Sequence, residues 1–156
     1  MTLQVVAKNG EFVGNRGDKM WSRGYQPLGR HGATLGENDF RTADPRIFYC
    51  RVTGTHHRPS ALRDRRFDPG SKIVLRADPA NAFDGSIVSV WDAAGTQQIG
   101  HVPPGLSRLL TPLMRAGTEL GGEVIRELRL GSERGERVAL HILIAPAGSL
   151  HYSVHK

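Results

Sequence analysis

The sequence contains a single cysteine, Cys50. An intramolecular disulfide and a cysteine zinc cluster are therefore excluded, and a reducing intracellular compartment is the simplest expectation. Aromatic residues make up only 6% of the 156 positions, so aromatic anchors are few. No apolar run approaches the ~18–20 residues that span a bilayer as a helix, and no membrane partner is expected. Met1 to Asn9 lack a basic stretch followed by a long apolar core, so they do not read as a secretory signal. The expected location is the cytoplasm, at the nucleoid if the chain is bacterial. Walker and dinucleotide-binding glycine loops are absent. So are H-E-x-x-H, H-x-H and C-x-x-C spacings, and no carboxylate cluster resembles a two-metal nuclease. His56 and His57 are neighbours and on a strand would point to opposite faces, so they do not chelate together simply. No metal, cofactor or catalytic residue is expected.

What is present is positive charge. Lys and Arg number 21 against 15 Asp and Glu, a net +6. Most of the basic residues are Arg, which pairs with phosphate bidentately and stacks on bases. This raises the expectation of a nucleic-acid partner. A solvated basic surface without a specific ligand is the plainer reading of charge alone.

The chain divides by pattern. Residues 1–46 are polar and punctuated by glycines, with seven basic against five acidic residues. Leu3–Ala7 reads as a short strand and Asn9-Gly10 as a hairpin turn before Glu11-Phe12-Val13. Beyond Gly14 no period persists, so this segment reads as an arm, partly disordered or docked on a domain. Residues 47–145 are tighter. Strands are expected at Ile47–Val52, Ser71–Arg76, Ser86–Trp91, Gln97–Val102, Leu120–Leu130 and Arg137–Ile144. An Arg-rich irregular stretch fills Thr55–Pro69. Leu106, Leu109, Leu110, Leu113 and Met114 recur at helical spacing after Pro103-Pro104, and Pro112 should kink or divide that helix. Residues 146–156 form a ragged tail. The sum is a mainly β, six-stranded antiparallel barrel with one or two short helices.

The order of certain residues carries more information than any one of them. Val52-Thr53-Gly54-Thr55-His56-His57 follows the first barrel strand. Gly70 to Asp84 then places Leu75-Arg76, Asp78-Pro79, Asn81 and Phe83-Asp84 around a turn. Ile99-Gly100-His101-Val102-Pro103 precedes the Leu-rich helix. Over roughly Phe48 to Ile144 this arrangement resembles the HIRAN domain family.

The resemblance implies a modified OB-like barrel that binds single-stranded DNA at free 3′-hydroxyl ends, in DNA repair or replication-fork processing. It implies that Asp84 accepts a hydrogen bond from the terminal hydroxyl and that Asn81 contacts the terminal nucleotide. Phe83 matches a base-stacking residue, and His101 matches the histidine of the fourth-strand block. His56, His57 and Arg58 fall where the family carries an arginine and aromatics. The chemistry is consistent: a carboxylate is a pure acceptor, so it suits a hydroxyl donor and repels a 3′-phosphate. Stacking on Phe83 is worth about 1–3 kcal/mol per base in single-strand binders. Arg58 and Arg76 suit phosphates, as do Arg63, Arg65 and Arg66 in the neighbouring loop.

Two positions depart from the family. His57 and Arg58 replace its aromatic pair, which weakens stacking. Pro104 stands where the eukaryotic DNA-end binders carry a basic residue. The plainer reading makes Asp84 and Asn81 turn formers, Phe83 a core plug and His101 a satisfied strand histidine. Two other functions compete: a protein-interaction adaptor built on an OB-like barrel, and a metal-dependent nuclease. In larger family members the domain is fused to helicase or nuclease modules, so such a protein is a candidate partner here. Salt separates the readings, since single-strand binding weakens with a log–log slope of about −0.7 per phosphate contact.

Overall fold

The structure, a computed structural model, describes residues 2–78 and 87–155. Asn81, Phe83 and Asp84 lie outside the described residues.

Six strands form the barrel: β4 (Phe48–Arg51), β5 (Lys72–Ala77), β6 (Val88–Asp92), β7 (Gln98–His101), β8 (Leu120–Leu130) and β9 (Arg137–Pro146). They pair antiparallel in the order β4-β9-β8-β5-β6-β7. A single antiparallel bridge, Thr53 to His101, brings the two ends of this series together. Thr53 and His101 exchange both backbone hydrogen bonds at 2.9 Å. Gly100 permits the approach, because a Cβ there would overlap the Thr53 carbonyl. The mainly β fold with few short helices is the one expected.

The barrel interior is filled by Phe48, Cys50, Val52, Phe67, Ile73, Val90, Ile99, Leu106, Leu110 and Ile142, among others. A second apolar cluster, with Leu3, Val5, Ile47, Tyr49, Ile125 and Leu143, lies on the outside of β4 and β9. These two strands are thus buried on both faces. That is why Ile47-Phe48-Tyr49-Cys50 and Ile142-Leu143-Ile144-Ala145 read as unbroken apolar runs rather than as alternation.

The second cluster is covered by strands of the first and last segments. β1 (Leu3–Ala7) pairs antiparallel with β3 (Lys19–Pro27) and parallel with β10 (Tyr152–Val154), while β2 (Gly10–Val13) pairs with β3. β3 runs antiparallel to the second half of β8, Met20 opposite Leu130 and Gly24 opposite Arg126. Neither β3 nor the tail strand β10 carries a strand signal in the sequence. The reason is that the buried positions of the central stretch of β3 are Ser22 and Gly24, not apolar residues. Gly24 has φ 124°, and a Cβ on it would strike the Ile125 backbone, so only glycine fits.

Two other expectations need correction. The Thr55–Pro69 stretch is not irregular: it holds a 3-10 turn at Thr55–His57, helix α1 (Pro59–Arg63) and a second 3-10 turn at Arg65–Phe67. Helix α2 (Pro104–Arg115) runs unbroken through Pro112. Pro112 has no N–H to donate to the Arg108 carbonyl, so the helix continues there at the loss of one internal hydrogen bond.

Candidate nucleic-acid interface

The segment from Thr55 to Phe67 owes its shape to one side chain from β9. Arg137 is 2% exposed along its side chain. It donates from Nε to the Leu62 carbonyl at 2.6 Å, from Nη2 to the Asp64 carbonyl at 2.6 Å and from Nη1 to Asp68 at 2.8 Å. Phe67, fully buried, anchors the end of the same segment in the core. A guanidinium with five N–H donors is suited to hold two turns and a helix end at once.

This anchoring sets the 3-10 turn Thr55–His57 and Arg58 against β6 and β7. A groove of about 450 Å³ results, lined by His57, Arg58, Pro59, Ser60, Ala61, Trp91, Thr96, Gln97 and Gln98. His56 and His57 are not on a strand, and their rings do not face apart. A 3-10 turn advances only about 120° per residue, and the ring centroids lie 3.8 Å apart at 44°. Both rings are exposed.

Trp91 is the aromatic of this groove. On β6 it alternates outward from Val88 and Val90, which are buried. Its indole N–H donates to Ser89 Oγ at 2.8 Å. The Arg76 guanidinium stacks 4.5 Å from the ring centroid and donates to the Gly95 carbonyl at 3.1 Å. Gln97 Oε1 is buried with no hydrogen-bond partner among the described residues.

His101 borders the groove through Gln98. The Gln98 amide nitrogen reaches the Gly100 carbonyl at 3.3 Å and His101 Nε2 at 3.2 Å. The carbonyl contact fixes that atom as the donor, so Nε2 accepts and the His101 proton sits on Nδ1. Burial holds the His101 pKa below its ordinary value, the Arg58 charge lowers it further, and the Asp78 carboxylate opposes both. His101 is therefore a neutral N–H donor at neutral pH. Asp78 also closes the neck of the β5–β6 connection, its N–H donating to the Ile87 carbonyl at 2.8 Å. The connection that carries Asn81, Phe83 and Asp84 thus leaves the barrel beside His101.

The structure brings His57, Arg58, Arg76 and His101 to this side of the barrel, with His56 on the same turn. The loop arginines do not join them as a group. Arg66 is engaged by Asp92 at 3.8 Å, by Asp64 and by Thr96. Arg63 turns to Glu136 at 2.7 Å, and Arg65 is exposed on the second 3-10 turn. Sequence reasoning missed Trp91, Gln97 and Gln98. The alternation of Val88-Ser89-Val90-Trp91 was the available signal for Trp91. Nothing in the sequence marked the two glutamines.

The model of the HIRAN domain matches residues 46–144, the span from just before β4 to near the end of β9. A crystal structure of a protein from Lactobacillus plantarum is 19% identical, with a TM-score of 0.47, covering 62% of this chain and 91% of that one. The crystal structure of the HIRAN domain of human HLTF is 19% identical, with a TM-score of 0.45, covering 65% of this chain and 77% of that one. No curated protein matches the chain. No helix among the described residues is long and apolar enough to cross a membrane. With the family's model matched across more than half of its length, the chain belongs to the HIRAN domain family, a family of DNA-binding domains.

Proposed function

We propose that the chain binds single-stranded DNA at free 3′-hydroxyl ends, catalyses no reaction itself, and serves DNA repair or fork processing beside a helicase or nuclease partner. One juxtaposition supports this reading. A groove with an exposed imidazole, a guanidinium and an outward indole adjoins His101, beside the neck of the connection that bears Asn81, Phe83 and Asp84. A cation and a stacking face are what a single strand requires. In this reading Arg58 takes a phosphate, Trp91 and His57 stack on bases, His101 donates to the backbone, and Asp84 accepts the terminal hydroxyl.

Two substitutions test these roles. Asp84→Ala should erase the preference for a 3′-hydroxyl over a 3′-phosphate in competition titrations. A preference that survives removes Asp84 from the reading. Trp91→Ala should weaken binding of a short single strand roughly tenfold, the loss of one stacked base, whereas Trp91→Phe keeps most of the affinity. Equal affinities for all three proteins would show that the indole does not touch DNA.

A further inference from the structure

A second basic concavity lies at the other end of α1. It measures about 380 Å³ and is lined by Arg63, Arg129, Arg134, Gly135, Glu136 and Arg137. Its charges do not balance. The buried Glu127 carboxylate is shared by three guanidiniums, Arg23 at 3.0 Å, Arg137 at 3.7 Å and Arg129. Arg137 also meets Asp68 at 2.8 Å, and Arg63 meets Glu136 at 2.7 Å. Arg134, on the β8–β9 turn, has no ion pair among the described residues. Four guanidiniums, Arg63, Arg129, Arg134 and Arg137, thus line one hollow against Glu136 and the buried Glu127 behind them. An excess of two positive charges on pre-oriented guanidiniums favours a bound anion, and the fork geometry favours a phosphate oxygen pair. Trp21 stands opposite Arg129 in the β3–β8 register, so it is on the same face of the sheet and half-buried. An indole beside a phosphate site suits a nucleotide rather than a free ion.

The spacing links this hollow to the groove. Arg58 caps the start of α1 and Arg63 ends it. Five helical residues rise about 7 Å, close to two nucleotide steps of a stacked strand at about 3.4 Å each. We infer that the Arg63–Arg129–Arg134 pocket binds the phosphodiester backbone of a DNA strand whose 3′ end lies in the groove, a few nucleotides from that end. The inference rests on the DNA-binding reading for the identity of the anion.

The test compares 3′-hydroxyl dT2 and dT12 by fluorescence anisotropy at several salt concentrations, for the wild type and for Arg63→Gln/Arg134→Gln. Both altered side chains are at the surface, and the Arg137 anchor is left intact. The double variant should bind dT12 about tenfold more weakly, with a log–log salt slope shallower by about 0.7–1.4, one or two phosphates. Its affinity for dT2, too short to span both sites, should not change. Unchanged dT12 affinity and slope overturn the inference while leaving end capture standing. A loss for dT12 in a protein that shows no 3′-end preference overturns end capture and supports the pocket. Pyrophosphate is the free-anion arm, followed through the Gly135 amide resonance. A pyrophosphate shift without an oligonucleotide effect, or no response to either, overturns the assignment to a strand.

Discussion

Arg137→Met should destabilise the fold by about 3–5 kcal/mol in urea unfolding, the range for breaking a buried ion pair from one side. The methionine fills much of the same volume, so the effect is one of polarity rather than of a cavity. It removes the most buried of the three guanidiniums around the fully buried Glu127, leaving Arg23 and Arg129, and takes the donors from the Leu62 and Asp64 carbonyls. Each buried acceptor left without a donor costs about 1–3 kcal/mol. The turn-helix-turn from Thr55 to Phe67 then loses its tie to β9, so affinity for single-stranded DNA should fall with stability. A loss under about 1 kcal/mol would mean that Phe67 alone holds the segment and that the Arg137 network is incidental.

Acid should destabilise the protein earlier than its carboxylates explain. His141 is buried on β9, its Nδ1 hydrogen-bonded with the Tyr49 hydroxyl at 2.5 Å. Glu37 lies 4.0 Å from Nε2 and would favour protonation. Burial outweighs it, with the Arg126 and Arg51 charges adding to burial, and the folded pKa drops to about 3 from 6.5. His141 is therefore neutral and makes no ion pair with Glu37. A basic group with a depressed folded pKa binds fewer protons folded than unfolded. Its contribution is complete above about pH 6.5 and declines as pH falls toward 3. The loss should be roughly 2 kcal/mol at pH 5 and on the order of 4 kcal/mol near pH 3.

Two buried carboxylates act in a lower window. The Asp44 pKa is lowered by hydrogen bonds from the Arg46 backbone and side chain. For Asp92, burial works upward but the Gln97 and Thr96 donors prevail, and its pKa is lowered as well. Their stabilisation is present above about 3.8 and is lost only below it. Between pH 6.5 and 4 His141 dominates, with His101, whose pKa is also lowered, adding in the same direction. His141→Asn, which keeps an acceptor for Tyr49, should remove most of the slope across that interval. A wild type whose stability is already flat there would show that water or Glu37 satisfies the imidazolium.

The barrel strands were legible because turns and apolar runs mark them. Asn, Asp, Pro and Gly bound most of them, and β4 and β9 announce burial on both faces by unbroken runs. β3 was not legible, because its packing depends on the small size of Ser22 and Gly24 beside β8, which leaves no apolar signal. The ordered turn-helix-turn from Thr55 was hidden for a related reason. Its determinant, Arg137, lies some seventy residues further along. The same limit governs the site. Order and spacing brought out His57, Arg58 and His101, but only pairing across strands puts Trp91 and Gln98 beside them. Arg63, Arg65 and Arg66 read as one basic loop, yet folding sends Arg63 to the β8–β9 turn and ties Arg66 to Asp92.

The central claim is that the groove and its adjoining connection capture a free DNA end. The most direct measurement titrates the wild-type protein against one labelled single strand ending in a 3′-hydroxyl, the same strand ending in a 3′-phosphate, and a blunt duplex, each at two salt concentrations. The account predicts salt-sensitive binding, tightest for the 3′-hydroxyl strand and weaker for the other two. Equal affinity for all three, or affinity indifferent to salt, would contradict it.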